Sequence, residues 1–119
     1  MKVLVCGDRE WNDQALVVRE LKRLTNVEWV IEGGARGADL AGRVAAQTLG
    51  IAFMEFPAHW SQYGGSAGIR RNQEMLDRGQ PDLVLAFHDH LEQSRGTKHM
   101  IEIAERAGVL VKHVQHAPR

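Results

Sequence analysis

Short apolar, β-branched runs alternate along this chain with longer amphipathic stretches. The runs at residues 2–6, 28–32, 51–56, 82–87 and 109–114 read as strands. Four of the five carry enough apolar residues to be buried on both faces. Between them, apolar positions recur at spacings of three and four, the period of a helix with one buried face. Residues 13–25 put Leu16, Val17, Leu21 and Leu24 on one side, and residues 39–49 do the same with Ala41, Val44, Ala45 and Leu49. Residues 66–78 and 97–107 complete the set, turning Ile69, Leu76, Ile101 and Ala104 toward the sheet. Gly50, Gly79 and Gly108 stand just past three helices and Asn26 past the first, where a chain commonly takes the left-handed conformation. Strict β-α alternation predicts an α/β fold with a parallel sheet, and right-handed crossovers place helices on both of its faces.

Composition narrows the picture. A chain of 119 residues, 44% of them hydrophobic, is expected to form one domain, residues 1–119, around one core. Fifteen basic residues balance fifteen acidic ones. Zero net charge argues against a broad nucleic-acid surface, though not against a local anion site. Cys6 is the only cysteine, so no internal disulfide can form, and the apolar run at residues 3–6 is too short for a leader or a membrane span. A cytoplasmic protein without a membrane partner is expected.

The 12 glycines carry more information than their number. Three are the helix stops, and Gly42, inside the second helix, lets helix and sheet approach. The other eight, Gly7, Gly33, Gly34, Gly37, Gly64, Gly65, Gly68 and Gly96, fall in or beside strand-to-helix connections. In a parallel sheet these connections share the carboxyl edge, where ligands bind.

Three clusters stand out there. Gly33-Gly34-Ala35-Arg36-Gly37-Ala38-Asp39 combines a tight turn with a helix amino terminus, an arrangement suited to phosphate, although it is neither a P-loop nor a dinucleotide fingerprint. Arg36 can grip a phosphate or simply lie in solvent; Asp39 can meet a ribose hydroxyl, orient an arginine or cap the helix. Gly64-Gly65-Ser66-Ala67-Gly68-Ile69-Arg70-Arg71-Asn72 opens the third helix, with Ser66 as a candidate cap. Adjacent arginines diverge by about 100°, so only one of Arg70 and Arg71 can fully face a ligand. Ser94-Arg95-Gly96-Thr97 opens the fourth, Thr97 being able to cap it or to donate to a phosphate. Gly7-Asp8-Arg9 is a weaker fourth candidate.

Other chemistry finds less support. His88-Asp89-His90 with His99 has no second ligand group at a zinc spacing, so no metal is expected. No G-x-S-x-G elbow is present for a serine nucleophile. Trp11, Trp29 and Trp60 read as core or lid residues. Trp60 and Tyr63 can alternatively stack on a base, and Phe56-Pro57-Ala58-His59-Trp60 is the candidate lid.

Together the Gly33 to Asp39 turn, Ala67-Gly68-Ile69-Arg70-Arg71-Asn72-Gln73-Glu74-Met75 and Ser94-Arg95-Gly96-Thr97 resemble the SLOG superfamily, in particular its small YspA-like group. Val5-Cys6-Gly7-Asp8-Arg9-Glu10-Trp11 and Pro57-Ala58-His59-Trp60 extend the likeness over nearly the whole chain. The resemblance implies a three-layer Rossmann-like domain whose five-stranded parallel sheet runs in the order 3-2-1-4-5. That order sets the connections after strands 1, 2 and 4 side by side.

The same resemblance frames the function as binding of a nucleotide or nucleotide-derived ligand, for sensing or sequestering. Gly7, Asp8, Arg9, Gly33, Gly34, Arg36, Gly37, Asp39, Arg70, Arg71, Asn72, Ser94, Gly96 and Thr97 are the expected contacts, and no cofactor is required. The related Lonely-guy phosphoribohydrolases carry Gly-Thr-x-x-Glu, whereas this chain has Met100 at the glutamate position. Hydrolysis of an N-glycosidic bond would therefore need Glu32, Asp39 or Glu74 as the carboxylate. The resemblance to the DNA-processing protein DprA implies single-stranded DNA binding, which neutral charge disfavours. Relatives often pair through helices, so a homodimer stays open.

Overall fold

The structure is a computed structural model that describes residues 1–117. Five parallel strands form one sheet: β1 (Lys2–Gly7), β2 (Trp29–Glu32), β3 (Ala52–Glu55), β4 (Leu83–Phe87) and β5 (Leu110–Val114), in the order β3-β2-β1-β4-β5. The chain's first strand is therefore central. Val3 stands opposite Val30 on one side and Leu83 on the other. The helices are α1 (Gln14–Lys22), α2 (Ala38–Leu49), α3 (Trp60–Tyr63), α4 (Ala67–Glu74) and α5 (Gly96–Arg106). The fold is the expected three-layer α/β, Rossmann-like sandwich.

Strand alternation divides the core into two. Val3, Val5, Val30, Leu85 and Phe87 pack toward α1 and α2, meeting Leu16, Val17, Leu21, Ala41 and Ala45. The intervening Leu4, Cys6, Ile31, Val84 and Ala86 pack toward Met75, Leu76, Met100 and Ala104. Gly42 performs its expected role, since an added Cβ would stand 2.8 Å from Val5.

Several boundaries and burials differ from the pattern. Only β1, β2 and β4 are largely buried; β3 and β5 have one neighbouring strand each and expose most of their residues. Ile69 and Val44 lie outward, 52% and 38% exposed, because Ala67 and Ala45 take the inward places on their helices. Helix α1 ends three residues before the expected limit, and its capping turn runs on to Asn26, which does take a positive φ of 58°. After α4 a π-helical turn, Met75–Gly79, inserts Met75 and Leu76 into the core. There the left-handed residue is Gln80, not Gly79. Gly79 is close to Ile31, whose Cδ1 an added Cβ would approach to 3.0 Å.

Candidate functional site

The carboxyl ends of β1, β2 and β4 adjoin, and the turns leaving them enclose a pocket of about 390 Å³. That is the size of a small-molecule site. Of the expected contacts, Gly7, Asp8 and Arg9 line it from β1, Arg36 and Asp39 from the turn and start of α2, and Arg71 and Asn72 from α4. Ser94, Gly96 and Thr97 close it at the start of α5. Gly33, Gly34, Gly37 and Arg70 do not line it.

The glycine-rich turn is closed on itself. Gly34 N–H donates to Glu32 Oε1 at 2.6 Å and Ala35 N–H to Asp39 Oδ2 at 3.3 Å. Two of the chain's own carboxylates thus occupy amides expected to meet phosphate. Gly37 serves a different purpose at φ 77°, where a Cβ would stand 2.3 Å from the Asp8 carbonyl oxygen. That close approach lets Ala38 N–H donate to Asp8 O at 3.0 Å, fixing the β1 turn to α2.

Arg71 and Asn72 join the clusters. Arg71 Nη1 donates to Gly33 O at 2.6 Å and lies 3.9 Å from Asp39 Oδ2, and its Nε donates to Asn72 Oδ1 at 3.2 Å. Asn72 is buried, and its amide donates to Gly96 O at 3.1 Å. The Gly33, Arg71 and Gly96 segments are therefore one bonded unit. Arg70 points elsewhere, its Nε donating to Ser66 Oγ at 3.2 Å and its guanidinium lying 4.3 Å from the Tyr63 ring centre. Ser66 in turn donates to Tyr63 O and makes no side-chain cap on α4. At α5 the capping bond comes from Ser94, whose Oγ accepts Thr97 N–H at 3.0 Å. Thr97 is left as a buried residue of the pocket wall.

Of the three carboxylates considered for hydrolysis, only Asp39 lines the pocket. Burial pushes its carboxyl up to about 6, against the pull of Arg71. Glu32 is wholly buried, with Oε2 unpartnered; burial, then Glu55 and Asp39 nearby, raise it to about 8 although Gly34 N–H opposes the shift. Glu74 accepts from Arg78 at 3.2 Å on the outer side of α4. Met100, 1% exposed, forms part of the apolar wall with Cys6 and Met75. Burial pushes the Cys6 thiol far up, leaving it an inert packing group.

The site also contains residues absent from the expected set. Glu10 and Arg95 line it, and so does His88, one residue past β4. His88 Nδ1 accepts from His90 N–H at 3.0 Å, which leaves the proton of the neutral ring on Nε2, 4.0 Å from Asp8 Oδ2. Asp8 Oδ1 accepts from Glu10 N–H. Position just beyond a central strand is the sequence signal for His88. Four arginines, Arg9, Arg36, Arg71 and Arg95, thus face three carboxylates, Asp8, Glu10 and Asp39. The site is locally cationic within a chain of zero net charge.

A model of the YspA, cpYpsA-related SLOG family matches residues 1–63. The chain belongs to that family. It is also similar to the gene 61 protein of Mycobacterium phage D29, 39% identical over 119 aligned residues that cover 92% of this chain and 93% of the phage protein. SLOG membership points, at a coarse level, to a nucleotide-related ligand. Among the described residues no helix is long and apolar enough to cross a membrane.

Proposed function

We propose that the pocket holds a nucleotide or nucleotide-derived small molecule by its phosphate, in a domain that senses or sequesters the ligand. The observation that carries this reading is the convergence of four arginines, from separate connections, on one concave site. With the Gly34 and Ala35 amides engaged internally, the phosphate's place is between Arg71 and the start of α5, where Gly96 and Thr97 meet the cavity. Gly96 leaves the backbone open, since an added Cβ there would meet nothing within 4 Å. Asp8 is the acceptor available to a ribose hydroxyl, beside the His88 Nε2 proton. Binding is favoured over N-glycosidic hydrolysis because the related hydrolases' glutamate is Met100 here and two of the three replacement carboxylates lie off the pocket.

Titration of ribonucleoside 5′-mono- and diphosphates, followed by calorimetry and thermal unfolding, tests the reading. A true ligand at a hundred times its Kd stabilises the fold by about 2.7 kcal/mol. No heat and no shift across the set would sink it. Release of free base, seen by chromatography, would assign turnover instead.

A further inference from the structure

The segment that follows β3 is not explained by the core. No residue of α3 or of the 3-10 turn Gly64–Ser66 is buried, yet Trp60 and Tyr63 stand there 50% and 38% exposed. Each ring is faced by a guanidinium, with Arg9 Cζ 5.8 Å from the Trp60 ring centre and Arg70 Cζ 4.3 Å from that of Tyr63. Arg9 belongs equally to the pocket wall. Trp60 is thereby placed at the rim, one side chain away from the cavity.

The surroundings of the indole are bare. An added Cβ at Gly64 or Gly65 would meet nothing within 4 Å, and one at Gly68 would meet only Trp60 Cη2, at 3.6 Å. Packing does not demand glycine at Gly68, and the missing side chain leaves that flank of the ring open. Inside the cavity the chemistry is opposite, with four arginines and no Phe, Tyr or Trp among the described lining residues. An anion is served within, and a flat π-system finds its aromatic partner outside.

We propose that Trp60 and Arg9 form a shelf at the rim on which a nucleobase stacks, so that the ligand lies phosphate-inward and base-outward. The proposal rests on the reading of the pocket as a phosphate site and adds the orientation and the requirement for a base. Arg9 either remains on the indole and meets the base edge, or yields its place to the base and turns toward the phosphate. Stacking on an aromatic side chain is a contact that every base can make, so the shelf demands a base without choosing which one.

The test uses the full chain, the four ribonucleoside 5′-monophosphates and ribose 5-phosphate, measured by calorimetry on the wild type, Trp60→Leu and Trp60→Phe. Trp60 supports no core, so both variants are expected to fold, which thermal unfolding checks. At least one nucleotide is expected to bind about tenfold or more tighter than ribose 5-phosphate. Trp60→Leu should remove that advantage and leave ribose 5-phosphate binding unchanged, whereas Trp60→Phe should retain most of it. If ribose 5-phosphate binds as tightly as every nucleotide, or Trp60→Leu keeps the nucleotide's affinity, the shelf is overturned while the phosphate site stands. Should neither class of probe bind, the phosphate site falls and the shelf with it.

Discussion

Two charged clusters stand at the carboxyl edge, one buried and one exposed, and the carboxyls in them shift in opposite directions. Around the glycine turn, Glu32 and Asp39 are buried, and desolvation pushes their carboxyls up to about 8 and about 6. On the surface, His116 near the end of the chain sits between two aspartates. Its Nε2 is 2.7 Å from Asp13 Oδ2 and its Nδ1 2.8 Å from Asp89 Oδ2, while the ring stacks on Trp11 with centres 4.7 Å apart. Hydrogen bonds to His116 hold both aspartates below the usual carboxylate range, and the two aspartates raise the imidazole. Desolvation outweighs the neighbouring Arg71 at buried Asp39, whereas direct hydrogen bonds with His116 outweigh desolvation at the surface aspartates.

The largest effect should follow from removing the one guanidinium in the buried cluster. Arg71→Met strands the Asp39 carboxylate and the Gly33 carbonyl, and should cost about 3–5 kcal/mol in urea unfolding. Adding Asp39→Asn should recover part of the loss. Equal instability of the double and single variants would mean that the ion pair is not what Arg71 supplies.

Asn72→Leu cuts the link from α4 to the Gly96 carbonyl and should cost about 1–3 kcal/mol. Hydrogen exchange of the amides at the start of α5 should quicken more than that of β1. Uniform quickening would show that the bond does not act locally.

Glu32→Gln separates the clusters by pH. Glu32 holds its proton more tightly folded than unfolded, so its contribution is complete below the ordinary value of 4.5 and is lost as pH rises toward about 8. Glutamine keeps the acceptor for Gly34 N–H and cannot ionise. The variant should therefore gain about 1–3 kcal/mol relative to wild type between pH 5 and pH 9. A difference that does not change with pH would remove Glu32 from the account.

The smallest effect belongs to His116. Its raised imidazole contributes below the ordinary value of 6.5 and ceases as pH passes the folded value; the lowered aspartates contribute above 3.8 and cease as pH falls through their folded values. The contact is thus strongest in the acidic to neutral window between them. Proton NMR of the His116 ring should show a titration above 6.5 that Asp13→Asn and Asp89→Asn each move down. A midpoint at 6.5 or below in the wild type would leave the surface cluster without its proposed bonds.

The two clusters also mark where sequence reading succeeds and where it stops. Strand and helix positions follow from local period, so β1 and α2 were legible to within a residue or so. That the Gly33, Arg71 and Gly96 segments share the carboxyl edge followed from β-α alternation, and that the connections after β1, β2 and β4 adjoin followed from the strand order implied by the family resemblance. Which arginine turned inward was not legible, because Arg70 and Arg71 differ only in what surrounds them after folding. Nor was the closure of the turn by Glu32, which the sequence offers as a candidate carboxylate and whose bond to Gly34 N–H depends on how the turn folds back. The His116 contact joins positions 103 residues apart and leaves no local trace.

The placement of β1 in the middle of the sheet has a consequence for synthesis. By the time Tyr63 has been made, β2 and β3 are available to one side of β1, but the strand that covers its other edge begins only at Leu83. Until β4 is in place, a nascent chain presents Val3, Leu4 and Val5 along an open hydrogen-bonding edge. Ribosome stalling or truncation in the α3–α4 region should therefore yield an aggregation-prone half-sheet, and this interval is when a holding chaperone would matter most.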